Sequence, residues 1–92
     1  MENDIYKEMQ KRQETVDRYV ECFSKNVVRY RNAKHISQKK FAERIPVCEA
    51  TMNELERGRH YPSFVTAMMI ACYIGGDIGD LFTKEMTFDG DD

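Results

Sequence analysis

The sequence predicts an all-α fold, and three observations carry that expectation. No Gly or Pro interrupts the chain before Pro46, which leaves the first half free to form helix. Apolar residues recur at helical rather than alternating spacing, as in Ile5, Met9, Val16, Tyr19, Val20 and Phe23. Ser37, Gly58, Pro62 and Gly75-Gly76 then divide the second half into short segments with the start and stop residues of helices. No β alternation, internal repeat or low-complexity tract competes.

The elements follow in chain order. A first helix is expected from about Asp4 into the twenties. Ser24 permits a break there, since Ser can cap the next helix, and one continuous helix through Ala33 is equally allowed. Over that later stretch Val27, Tyr30 and Ala33 point inward. Ser37 caps a helix from Gln38 to Arg44, which Pro46 stops by disfavouring an α conformation at Ile45. Cys48 to Arg57 forms the following helix, ended by Gly58 as a left-handed cap. Pro62 opens a fourth helix through about Ile74. A last short helix from Ile78 to Lys84 buries Ile78, Leu81 and Phe82, and the acidic tail from Thr87 is expected to fray.

Ninety-two residues suit one small domain, and 41% apolar with 33% charged residues fits a folded, water-exposed chain. No apolar run is long enough to span a membrane, so a membrane partner is not expected. The N-terminus lacks the apolar core of a signal peptide, which makes the cytoplasm the expected location. Cys22, Cys48 and Cys72 form no metal spacing with His35 or His60. They read as reduced thiols in the role of small core residues, and no metal or other cofactor is expected.

The net charge of −2 conceals a segregation. Lys25 to Arg44 holds seven Lys/Arg against the single acid Glu43, whereas Asp77 to Asp92 holds six acids against Lys84. A concentrated basic segment suits a polyanionic partner better than the whole-chain charge suggests. Ser37 to Gly58 lies across the end of that segment. Phe41, Ala42, Ile45, Val47, Met52 and Leu55 would close its two short helices on each other at a steep angle, a device that places one helix in a DNA groove.

Phe23 to Phe82 resembles the phage-repressor/Cro-like (XRE-type) helix-turn-helix family. The resemblance rests on Val27, Tyr30, Arg31, Ser37-Gln38, Phe41-Ala42, Val47, Met52, Leu55-Glu56-Arg57-Gly58, Pro62-Ser63 and Leu81-Phe82, in order and with family-like spacing. It implies a five-helix lambda-repressor-like helix-turn-helix domain over 23–84. Residues 1–22 would be an additional N-terminal helix and 85–92 an acidic tail.

The resemblance also implies roles for individual residues. Gln38 to Arg44 would support, and helix 48–57 would enter the major groove of double-stranded DNA. Placing Met52 and Leu55 inward at about 100° per residue leaves Ala50, Asn53, Glu54 and Arg57 outward, with Glu49 on the flank. Glu49, Ala50, Asn53 and Glu54 would face bases; Gln38, Lys39, Lys40, Arg57 and Arg59 would meet phosphates. Glu56 falls near the buried side, where the family pairs it with an Arg on the first helix, here Arg31. The chain departs from the family pattern in placing Pro46 in the turn, Cys48 at the helix cap and two carboxylates on the reading face.

The resemblance implies that Phe64, Ala67, Met68, Ile70, Ala71 and Ile74 of helix four are buried, and the helix carries a second apolar stripe, Val65, Met69 and Cys72, at spacings of four and three. A helix apolar all round is normally covered on both sides, so this stripe is expected to pack on the N-terminal helix or on a second subunit. A homodimer would place two copies on two half-sites. The expected function is a sequence-specific, repressor-like transcriptional regulator. The alternative is a protein-interaction module on the same scaffold, which the acidic reading face favours. Neither His has a nucleophile and acid beside it in a recognisable set, and no catalytic residue is expected.

Overall fold

Ser24 does not break the first helix. Its hydroxyl is buried and donates back to the Val20 carbonyl at 2.9 Å, so it is satisfied inside the helix rather than capping a new one. The computed structural model describes residues 2–90, with side chains from Asp4 onward. Helix α1 runs unbroken over Glu2–Ala33, so the N-terminal extension is the first part of α1. It is followed by α2 (Gln38–Arg44), α3 (Glu49–Glu56), α4 (Phe64–Ile74) and α5 (Ile78–Thr83). No strand occurs among the described residues.

Local chemistry sets these boundaries. Ser37 and Ser63 each accept a backbone N–H three residues on, from Lys40 and Thr66, at 3.1 Å. Asp77 accepts from Gly79 and Asp80 at the start of α5. Such caps satisfy donors that the first turn leaves without partners. Pro62 precedes α4 rather than opening it. Gly58 and Gly75 take the left-handed conformation, with φ of +71° and +83°, where a side chain would be strained. Ile45 is α-helical, contrary to the expectation, and its peptide to Pro46 is cis. The helix ends there all the same, because Pro46 has no N–H to continue it.

The core gathers one face from every helix: Phe23 and Val27 of α1, Phe41 and Ala42 of α2, Met52 and Leu55 of α3, Ala67, Ile70 and Ala71 of α4, and Leu81 of α5. Ile45 seals the α2–α3 turn. Phe23 stacks on Phe82 at 4.6 Å between centroids. Each large apolar side chain buried this way contributes roughly 1.5–3 kcal/mol.

Phe64 and Met68 are corrections, 72% and 43% exposed. An all-apolar helix gives no phase from sequence. The buried stripe of α4 is centred on Ala67, Ile70, Ala71 and Ile74, and Met68 lies well off it while Phe64 sits in the first turn, at the core's edge. Cys48 and Cys72 are likewise exposed rather than core residues.

The tail is also corrected. Asn26 of α1 is fully buried, and its Nδ2 donates to the carbonyls of Leu81 and Lys84, both at 2.8 Å. Its Oδ1 accepts from the Met86 N–H at 2.9 Å and from Arg29. Phe88 then meets Tyr30 edge to face at 5.2 Å. Residues 85–90 therefore lie back along α1, and only Asp91 and Asp92 of the expected frayed tail fall outside the described residues.

At its other end α1 outruns the body. Thirty-two residues span about 48 Å at 1.5 Å each, and the molecule measures 57 × 25 × 19 Å. Ile5, Met9, Val16 and Tyr19, which recur at helical spacing in the sequence, are 43–58% exposed on this arm. No described helix is long and apolar enough to cross a membrane.

Candidate nucleic-acid interface

The turn between α2 and α3 is held by the Val47 N–H, which donates to the Ala42 carbonyl at 2.8 Å. Cys48 then occupies the cap position of α3 without a side-chain cap hydrogen bond. Its sulfur instead sits 3.0 Å from the Thr51 hydroxyl. Hydrogen bonding to the Thr51 side chain holds the thiol below its ordinary pKa.

With Met52 and Leu55 buried, the rest of α3 is fixed in rotation. Glu49, Ala50, Asn53 and Glu54 line one shallow depression, closed on the α2 side by Gln38. Glu49 and Ala50 are exposed, and Asn53 and Glu54 half-buried. The carboxylates of Glu49 and Glu54 make no ion pair and no side-chain hydrogen bond among the described residues.

Behind that face lies a polar network. Arg31 Nε donates to Glu56 Oε2 and its terminal nitrogen to Oε1, both at 2.9 Å. A further Arg31 nitrogen donates to the Ile36 carbonyl at 3.1 Å. Glu56 has a side chain only 6% exposed, and Arg31 19%. Gln38 Nε2 donates to Glu56 Oε1, and Gln38 Oε1 accepts from Asn53, both at 3.2 Å. An ion pair between α1 and α3 thus orients Gln38, and Gln38 orients Asn53. Chains of this kind hold polar side chains in single conformations.

Lys39 and Lys40 on α2, and Arg57 and Arg59 at and beyond the end of α3, are exposed cations, none in a salt bridge among the described residues. Arg57 ends α3. After Gly58, the Arg59 N–H returns to the Glu54 carbonyl at 3.1 Å, which fixes the course of the following loop.

That loop has an anchor with no counterpart in the sequence reading. The Tyr61 hydroxyl donates to Asp17 Oδ1 on α1, and Gln13 Nε2 contacts both. Tyr61, then Gln13, hold the Asp17 carboxyl below its ordinary range, and Asp17 raises the Tyr61 phenol. Asp17, Glu21, Arg57, Arg59 and Tyr61 line one polar depression. Residues 44 positions apart give no local signal of such a contact.

Val65, Met69 and Cys72 are exposed on α4. With Arg44, Ile45, Met68 and Tyr73 they line an apolar depression of about 560 Å³. No described group of three or more His, Cys, Asp or Glu is disposed to hold a metal ion.

Comparison with known proteins agrees with this geometry. No curated protein and no solved structure matches the chain. The family model of the Cro/C1-type HTH DNA-binding domain matches residues 26–85, a span that begins at Asn26 and ends one residue past Lys84. It takes in the α2–α3 pair, the network behind it and α4 and α5, and leaves the arm outside. The chain belongs to the Cro/C1-type helix-turn-helix DNA-binding family.

Proposed function

We propose that the chain is a sequence-specific, repressor-like transcriptional regulator acting on double-stranded DNA in the cytoplasm. The observation that carries this reading is family membership over 26–85, together with the exposed cations Lys39 and Lys40 on α2 and Arg57 and Arg59 after α3, none in a salt bridge among the described residues. Helix α3 enters the major groove. Glu49, Ala50, Asn53 and Glu54 face base edges; Gln38, Lys39, Lys40, Arg57 and Arg59 meet phosphates and set the register. The carboxylates make discrimination steep: each is repelled by phosphate, and each can accept a hydrogen bond from cytosine N4. The chain acts as a homodimer on two half-sites.

Selection of bound sequences from a random duplex pool tests the reading. An enriched motif is expected, with affinity falling steeply as salt rises because bound cations release counterions. An empty selection at low salt, or an affinity indifferent to salt, would sink it. The unpaired Glu49 and Glu54 and the apolar face of Val65, Met69 and Cys72 favour a second reading, a protein-interaction module, and an empty selection would leave that one standing.

A further inference from the structure

The face of α1 that covers the core continues past the body as an exposed apolar stripe. Val20, Phe23 and Val27 are buried. Stepping back along the same stripe at about 100° per residue gives Tyr19, Val16, Met9 and Ile5, which are 46%, 43%, 55% and 58% exposed. Intervals of four, seven and three make this a heptad-like seam, broken once, at Arg12. The arm's contact with the body runs through Gln13 and Asp17, on a neighbouring face. A helix of this length with an uncovered apolar stripe draws most of its stability from packing.

From this seam we infer that two copies of the chain pair their α1 arms in antiparallel orientation. Charge decides the orientation. A parallel pair would set Arg12 against Arg12 inside the seam, a buried like-charge contact. In the antiparallel register that sets Ile5 opposite Val16, Arg12 of one copy lies across Met9 of the other, next to Glu8. Within one chain Arg12 already lies 3.9 Å from Glu8, both side chains well exposed, so the pair exchanges one partner for its equivalent. Met9 gains the Arg12 stem as cover. Among the arm's described residues 4–19, four acids and four bases leave no net charge to repel a second arm. The exposed α4 face offers no comparable match: nothing in the structure says what covers it.

The inference deepens the homodimer of the proposed function and rests on it. Sedimentation equilibrium of the full chain should show a monomer–dimer equilibrium. Met9→Lys should weaken it about tenfold or more, since it sets a second cation across the Arg12 of the other copy and loses the Met9 burial. Met69→Glu, on the α4 face, should leave the equilibrium unchanged. Spin labels at Arg18→Cys, in a background with the three native cysteines replaced by Ser, should lie more than about 20 Å apart along antiparallel arms. Labels side by side would overturn the orientation. A dimer that survives Met9→Lys would overturn the seam, and a wild-type monomer at high concentration would overturn the homodimer itself. DNA binding by the Met9→Lys chain, measured beside these, reports on groove reading separately from pairing.

Discussion

Arg31 of α1 and Glu56 of α3 share two hydrogen bonds of 2.9 Å, with the Glu56 side chain only 6% exposed. The pair joins the longest helix to the one proposed to read DNA, and Gln38 and Asn53 hang from it. Glu56→Gln should cost about 3–5 kcal/mol, because it strands the Arg31 charge in a poorly solvated site. Arg31→Met with Glu56→Met should recover much of that loss, since removing both charges leaves neither unpaired. Chemical denaturation of the single and double variants checks both points. An unchanged midpoint in Glu56→Gln would show that the charge is solvated.

Asn26 holds the tail. It spends both amide hydrogens on the carbonyls of Leu81 and Lys84 and receives the Met86 N–H. Asn26→Leu should leave these backbone groups without a partner, at roughly 1–3 kcal/mol for each that stays buried. The Met86 amide should then exchange its hydrogen far faster, while amides of α3 change only with global stability. Equal acceleration at both places would mean that the tail has no anchor of its own.

His35 is the one described non-Gly residue with positive φ, at +55°. It follows α1, where the Ile36 N–H returns to the Arg31 carbonyl at 3.0 Å and its own N–H to Asn32 at 3.2 Å. This is the left-handed helix ending that usually takes Gly. A side chain there costs roughly 1–2 kcal/mol, so His35→Gly should raise stability by about 1 kcal/mol in thermal or chemical melts. At Gly58, with φ of +71°, Gly→Ala should lower it by a similar amount.

These residues show what the sequence made legible. Ser37 and Gly58 act on the backbone within a few positions, so the helix ends they set follow from local chemistry, whereas at α4 the expected opening at Pro62 gives way to the Ser63 cap. Met52 and Leu55 fix the rotation of α3 because polar neighbours define its phase. Helix α4 has no such contrast, so only the family pattern assigns its inward face, and that pattern puts Phe64 and Met68 in the core. Ser24 and Asn26 are small polar residues in a helix whose partners lie either one turn back or 55 to 60 residues away. Nothing local distinguishes a satisfied Ser from a cap, or a buried Asn from an exposed one.

Tyr61 and Asp17 tie the loop after α3 to the arm, and their titrations are linked. Hydrogen bonds from Tyr61, then Gln13, lower the Asp17 pKa from its ordinary 3.8, so its contribution is present above 3.8 and lost as pH falls through the lowered value. Asp17 raises the Tyr61 phenol from 10.0, so that contribution is present below 10.0 and lost as pH rises through the raised value. The latch should therefore hold between these limits. The ultraviolet difference titration of the chain against Tyr61→Phe should show a Tyr61 midpoint above 10.0. In Asp17→Asn the midpoint should fall back. A midpoint unmoved by Asp17→Asn would show that the carboxylate does not hold the phenol.

Arg57 and Arg59 stand on the stretch that this latch positions. If each meets a phosphate, Arg57→Ala and Arg59→Ala should each reduce the slope of log affinity against log salt by about 1, and weaken binding by similar amounts across DNA sequences. Asn53→Ala and Glu54→Ala should behave differently, changing which sequences bind by about 1–3 kcal/mol at single positions while leaving the salt slope nearly intact. Affinity measured over a salt series for the selected duplex and for point-changed duplexes separates the two classes. Arg57→Ala that alters sequence preference but not the salt slope would move Arg57 from the phosphates to a base edge.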